Sequence, residues 1–322
     1  MGTPAAAVGS VPKPVAGRLH GGDEAARLVT MLFSSVILLI TVLLVFELWV
    51  NSGPSREKSG LGFLLSAIWN PVTEEFGALP FIYGTLLTAV VALVISVPLG
   101  VGAAIYLSEL APTKLSNALT FLIELLAAVP SVIFGLIAIF TLVPIMRTTI
   151  EPALKKWLGW TPFFTGPSLG IGYLTAALIL AIMTFPFIIS VSREALIAVP
   201  REQREAALAL GATKWESTWQ IVVPFARLGI MGSIFLGLAR ALGETMAVTM
   251  VIGNSATIKA SLLSSGYTIA AAIANQFGEA VGKVYPAALI ELGLVLFALT
   301  MVINALAQLL IVLTTKKGSA KA

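Results

Sequence analysis

Six apolar runs dominate the chain, at residues 28–50, 83–107, 117–143, 169–191, 228–252 and 286–313. Each exceeds the roughly 20 residues that a helix rising about 1.5 Å per residue needs to cross about 30 Å of hydrocarbon. In that medium the backbone must satisfy its own hydrogen bonds, so runs of this length fold as helices. Only 11% of the residues are charged and 57% are apolar, a balance that excludes a soluble globular domain. The reading is an all-α membrane protein with six transmembrane helices. The first run is longer than the apolar segment of a secretory signal, and the following VNSGPS offers no small-x-small cleavage site, so it stays as a span.

Residues 1–24 are rich in Ala, Gly and Pro and show no period, which makes 1–27 a mobile tail ahead of a six-span transmembrane domain at 28–315. Residues 316–322 close the chain as a short basic tail. With no cysteine and a single histidine, His20, the sequence excludes a disulfide scaffold, a cysteine nucleophile and thiolate metal sites, and no metal or cofactor is expected. Net charge +4 gives no reason to expect a nucleic-acid partner, because in a membrane protein the placement of Lys and Arg matters more than their sum. Twelve basic residues, among them Lys114, Arg201, Arg204 and Lys316, fall on the side of both termini. Seven, among them Arg56, Arg147 and Lys283, fall on the other. The positive-inside rule therefore places both termini in the cytoplasm.

Between the fourth and fifth spans lies a strongly polar stretch, PREQREAALALGATKWESTWQIVVP, within the cytoplasmic loop 192–227. Pro200 suits a first helical position, and Ala206, Ala207, Leu208 and Leu210 supply an apolar face that Gly211 ends. Thr213 and Glu216 form a capping box for a second short helix over 214–221, ending before Pro224. Glu205, Ala206, Ala207, Gly211, Ile221, Val223 and Pro224 stand at the spacing of the EAA loop, which this stretch resembles. That loop marks the permeases of ABC importers, and Val223 departs from the leucine usual there. The resemblance implies that Glu205, Ala206, Ala207, Gly211, Ile221 and Pro224 belong to a coupling element that docks into a groove on a separate ATP-hydrolysing subunit. The chain has no G-x-x-x-x-G-K-[ST] of its own, so it is not expected to be an enzyme.

The fifth run carries ARALGETMAVTM, which places Arg240 about 18 Å along a helix from Leu228, near the bilayer midplane. An arginine there costs at least about 2.5–3.5 kcal/mol on insertion scales and should face the bundle interior or a watery cavity. Glu244 is four residues on, so a continuous helix would set both on one face, with Gly237 leaving room for an approaching group. A guanidinium offers a rigid fork suited to phosphate oxygens, and Glu244 would pre-orient it. The alternative is an internal pair that only neutralises itself. Thr245 and Thr249 line the same route or bond back to their own helix, and Glu124 and Glu291 are further candidates. Pro98, Pro130, Pro144 and Pro186 predict kinks, Gly100 and Ala104 predict close helix packing, and 145–160 reads as an interfacial helix interrupted at Pro152.

The runs GLARALGETMAVTMVIGN (237–254) and AAVPSVIFGL (127–136) resemble the PstC-type permease subunits of phosphate ABC importers. The resemblance implies the type I ABC importer permease fold, with Arg240, Glu244 and Thr245 as translocation residues for phosphate. It also implies a location in the cytoplasmic membrane as a multi-pass chain. The partners it implies are a homologous PstA-type permease, two ATP-binding subunits and an extracytoplasmic phosphate-binding protein. A permease for sulfate or molybdate would share the EAA loop, and a gradient-driven transporter would have no use for it.

Overall fold

The structure, a computed structural model, describes residues 20–319. It divides at Val50 into two units. The first is essentially helix α1 (His20–Asn51), which contains neither Gly nor Pro after Gly22 and runs unbroken. Its start at His20 makes the last part of the 1–27 tail helical, and residues 1–19 lie outside the described residues.

The second unit opens with α2 (Gly53–Ser59), α3 (Gly62–Leu65) and a minimal hairpin of β1 (Trp69–Asn70) and β2 (Glu75–Phe76), in which Trp69 faces Phe76. Sequence reading treats 51–80 as a polar connection, but the structure folds it around an aromatic cluster. The Trp69 ring lies 4.8 Å from Phe76 and 4.6 Å from Phe81, and Phe76 stacks on Tyr285 at 5.3 Å. Gln276 Oε1 accepts hydrogen bonds from both Trp69 Nε1 (2.9 Å) and Tyr285 Oη (3.0 Å). Two of these five residues, Gln276 and Tyr285, come from about 200 residues further along the chain, beyond the reach of any local period.

The long elements follow: α4 (Leu79–Ile105), α5 (Thr113–Ala127), α6 (Ser131–Ile137), α7 (Val143–Ile145), α8 (Glu151–Leu158), α9 (Tyr173–Ile197), α10 (Arg201–Ala209), α11 (Lys214–Ser217), α12 (Val223–Gly243), α13 (Met246–Val251), α14 (Ile269–Gln276) and α15 (Val284–Ser319). Four wide π turns join several of them: Tyr106–Leu110, Ala138–Leu142, Met146–Ile150 and Thr218–Val222. Each ends two residues before a proline, namely Pro112, Pro144, Pro152 and Pro224. The residue just before each proline donates its N–H five residues back, as Ala111 does to the Tyr106 carbonyl. A proline ring crowds the carbonyl four residues earlier and has no N–H for it, so opening the preceding turn removes the clash.

Among the described residues, six helical stretches are long and apolar enough to cross a membrane: Ala26–Asn51, Leu79–Leu110, Ser131–Leu158, Tyr173–Ile197, Lys214–Gly243 and Val284–Leu309. The third and fifth differ from the sequence reading. The predicted third span, 117–143, breaks at Pro130 (φ −58°, ψ 140°) into α5 and α6. Helical turns then run from Ser131 through Pro144 and Pro152 to Leu158, so 145–160 is the continuation of a span rather than a separate interrupted helix. The fifth begins at Lys214 instead of Leu228, because Pro224 does not stop the helix that the capping box starts. The sixth continues to Ser319, taking in the start of the predicted C-terminal tail, and residues 320–322 lie outside the described residues.

Helices α4, α9 and α12 pack around Ile188, which is fully buried. A Cβ on Gly100 of α4 would stand 2.8 Å from Ile188 Cγ2, and one on Gly237 of α12 would stand 3.1 Å from Ile188 Cγ1. The two glycines let three backbones close on one side chain. Inside a bilayer such contact acts through van der Waals packing, since lipid tails are as apolar as the side chains they replace.

Candidate translocation site and coupling loop

Arg240 occupies the last turn of α12 and is partly buried. Its Cζ lies 4.1 Å from the ring centroid of Phe187, residue 15 of the 25 in α9. At about 1.5 Å per residue that is roughly 21 Å from one end of α9 and 15 Å from the other, so the guanidinium sits at mid-span depth. Its Nε is buried with no hydrogen-bond partner. A cation over an aromatic face gains roughly 0.5–2 kcal/mol, depending on desolvation, but uses none of the N–H donors. A buried donor left empty is costly and calls for an explanation.

Glu244 is not the orienting partner expected of it. Helix α12 stops at Gly243, and Glu244 is extended (φ −69°, ψ 128°), so the four-residue spacing no longer sets the two charges on one helix face. No ion pair joins them. Instead Glu244 Oε1 accepts the N–H of Ala247 at 3.3 Å and covers the start of α13. Thr245 is the residue before α13, partly exposed, and its carbonyl accepts both the N–H (3.0 Å) and the hydroxyl (2.7 Å) of Thr249. Thr249 therefore bonds back to its own helix. The space at Gly237 is taken by Ile188, so this glycine serves packing rather than access. Glu124 is exposed near the end of α5, whereas Glu291 is buried, 6% exposed, with Oε2 unpartnered.

The two short runs singled out in the sequence meet in space. A Cβ on Gly135 of α6 would collide with Met250 Sδ and stand 3.2 Å from Ala247 Cα on α13. The break in α6's approach at Pro130 and the break at Gly243–Thr245 thus bring together two short helices, each following an interrupted one.

The loop between α9 and α12 is a helix, glycine elbow, helix unit. Pro200 is the N-cap of α10 (ψ 141°) rather than its first helical residue. Gly211 has φ +90°, a left-handed conformation that a β-branched residue resists. Thr213 Oγ1 accepts from Glu216 N at 3.2 Å, and Glu216 Oε2 accepts from Thr213 N at 2.7 Å, which is the expected capping box. Glu205 and Ala206 are exposed, Ala207 is buried, Ile221 is half-buried and Pro224 is exposed. Around them Leu210 is 90% exposed, and Trp215 and Trp219 meet edge to face at 5.5 Å with both rings partly open. In the sequence Arg204 counts only as one of the cytoplasmic basic residues, and neither its hold on Glu109 Oε1 at 2.9 Å nor the place of Phe187 under Arg240 can be read there. Glu109 stands 95 residues from Arg204, and no local pattern links them.

Residues 96–313 match the family model described as the binding-protein-dependent transport system inner membrane component. The chain belongs to that family. Members similar to it include the phosphate transport system permease protein PstC of Mesorhizobium japonicum, 46% identical over 278 residues that make up 84% of this chain and 85% of the relative. The protein of the same name from Xylella fastidiosa is 45% identical over 297 residues, 91% of each chain. The fold matches that of a bacterial ABC transporter involved in the import of the acidic polysaccharide alginate, with a TM-score of 0.58 over 90% of this chain and 96% of that one at 14% identity. Family and fold make this a multi-pass permease subunit with the type I ABC importer architecture.

Proposed function

We propose that this chain conducts inorganic phosphate inward across the cytoplasmic membrane, with both termini in the cytoplasm. It works beside a homologous PstA-type permease, two ATP-hydrolysing subunits and an extracytoplasmic phosphate-binding protein. Arg240 carries the reading: a guanidinium at mid-span depth, braced by Phe187, with a buried Nε that has no hydrogen-bond partner among the described residues. A guanidinium free of carboxylates keeps its planar fork for a passing oxyanion, and the absence of a Glu244 pair is what leaves it free. Glu244 and Thr245 serve by ending α12 and starting α13, which holds the carboxylate back from the anion, while the Thr245 hydroxyl donates to the Gly243 carbonyl at 3.3 Å and ties the break together. Phosphate rather than another oxyanion is supported by the names of relatives sharing nearly half their residues with this chain. Glu205, Ala206, Ala207, Gly211, Ile221 and Pro224 belong to the element that meets the ATP-hydrolysing subunit.

The test is uptake of radiolabelled phosphate by the whole complex in proteoliposomes loaded with ATP, normalised to complex recovered. Lysine keeps a point charge but loses the fork, so Arg240→Lys should transport about tenfold more slowly, equivalent to about 1.4 kcal/mol, and Arg240→Gln more slowly still. Near-normal uptake by both would remove Arg240 from the pathway. Uptake suppressed by excess sulfate or molybdate would point to a different oxyanion.

A further inference from the structure

Arg204 lies one residue before the EAA triplet, on α10, and its side chain reaches out of the loop altogether. Its Nε donates to Glu109 Oε2 at 3.2 Å and one terminal nitrogen donates to Glu109 Oε1 at 2.9 Å, a two-pronged pair with the π turn that ends the α4 stretch. The same terminal nitrogen donates to the Leu196 carbonyl at 2.7 Å, and the other donates to the Val199 carbonyl. Leu196 is in the last turn of α9, where its carbonyl also accepts the Val199 N–H at 3.3 Å, and Val199 lies just past the helix end. Four of the five donors of one guanidinium are thus spent on three residues in two pieces of chain, the turn after α4 and the end of α9. Glu109 is only 10% exposed and Arg204 21%, so water competes weakly for the pair.

We infer that Arg204 is a positioning residue that latches the coupling loop to α4 and α9, so that displacement of the loop by an ATP-hydrolysing partner moves those two helices together. Between α9 and α10 the backbone turns at Pro200, whose N-cap conformation breaks the helix and makes a poor lever. The side-chain latch bypasses that break. Beyond it the route is rigid: Leu196 is nine residues along α9 from Phe187, the ring under Arg240, and Ile188 wedges α9 against both α4 and α12. The inference rests on the proposed role of the loop and adds the contact through which that role acts. Lysine replaces arginine here only in part, because a single ammonium keeps the charge but has three donors and no planar fork for Glu109.

The test uses the complete complex in proteoliposomes, measuring ATP hydrolysis and radiolabelled inorganic phosphate uptake on the same preparation. For Arg204→Gln and Glu109→Gln, hydrolysis should stay within about twofold of wild type while uptake per ATP falls about tenfold, inside the roughly 5- to 150-fold range of measured couplings. Arg204→Lys should fall between. Because the chain has no cysteine, the pair Arg204→Cys with Glu109→Cys can be joined by a bifunctional methanethiosulfonate reagent. Joining should restore uptake per ATP, and reduction should abolish it again in the same vesicles. A parallel fall in hydrolysis and uptake, no change in either, or no effect of joining would overturn the latch. Loss of complex from the membrane in every variant would make it a folding contact and would overturn it equally. Wild-type complex serves as the control that separates the claims. If it hydrolyses ATP but imports no phosphate, the phosphate reading fails, while the effect of joining on stimulation of hydrolysis by the binding protein still reports on the latch.

Discussion

Ile188 gives an unusually specific handle on the bundle, because its separate atoms face two different glycines. Gly100→Ala would put a methyl 2.8 Å from Ile188 Cγ2 and 3.1 Å from its Cβ, whereas Gly237→Ala would put one 3.1 Å from Cγ1 and 3.2 Å from Cδ1. Each change gains about 0.8–1 kcal/mol of helix propensity, against an overpacking cost of about 1–3 kcal/mol. At Gly237 the neighbour need yield only a few tenths of an ångström at the end of a side chain, so the net change should be near zero. At Gly100 the obstruction is Cγ2 together with the branched Cβ that carries it, and Cβ cannot move without α9, so the net loss should be about 1–2 kcal/mol. Ile188→Val removes Cδ1 and nothing else. It should therefore relieve Gly237→Ala by about 0.5 kcal/mol in a double-mutant cycle and leave Gly100→Ala unrelieved. The measurement is the thermal unfolding midpoint of the purified complex in detergent, where each kcal/mol corresponds to about 2–4 °C. Equal relief at both glycines, or a lower midpoint for Gly237→Ala than for Gly100→Ala, would refute the packing argument.

Gly211→Val should distort the elbow, since φ +90° is closed to a β-branched residue, and phosphate-stimulated ATP hydrolysis by the complex should drop severalfold. Unchanged stimulation would count against the loop as the coupling element. For topology, cysteines replacing the exposed Gln203 and Val72 should react with an impermeant thiol reagent from the cytoplasmic and the external side respectively, and reversed labelling would invert the orientation. Ser217, a natural choice from sequence alone, is only 5% exposed and would label poorly from either side. Gln276→Leu strips Trp69 Nε1 and Tyr285 Oη of their shared acceptor, and the unfolding midpoint should fall by the equivalent of about 1–3 kcal/mol. A change under about 0.5 kcal/mol would mean that water replaces the amide at both groups.

Much of this architecture could be read in the sequence because its signals are local. Apolar runs announce spans, Thr213 with Glu216 announces a cap, and Gly211 announces a left-handed elbow. Around proline the differences run both ways, because a proline in a sequence does not by itself say whether a helix stops or widens by a residue. At Pro224 and Pro152 the helix continues, because the preceding turn widens by one residue, and at Pro130 it does break although the surrounding run stays apolar. The misplacement of Glu244 is similar in kind. Nothing in ARALGETMAVTM marks Gly243 as a terminus, and only the packing of Ala247 and Met250 against Gly135 shows why the chain turns there. The aromatic cluster around Trp69 and the pair Arg204–Glu109 join residues so distant in the chain that a single sequence holds no trace of them.

The wide turn at Thr218–Val222 also sets a phase. A π turn holds one residue more than an α turn, and each residue of an α-helix advances the direction of its side chain by about 100°. The azimuth of the elbow, seen down the axis of α12, therefore depends on that single supernumerary residue. Deleting one residue between Thr218 and Val222 would close the turn to ordinary α geometry with Trp215 and the capping box near their present azimuth, whereas straightening the turn with all its residues kept would swing them by about 100°, Arg240 keeping its place over Phe187 in either case. The loop and the arginine are like two hands on one shaft, and the bulge is the key that indexes them.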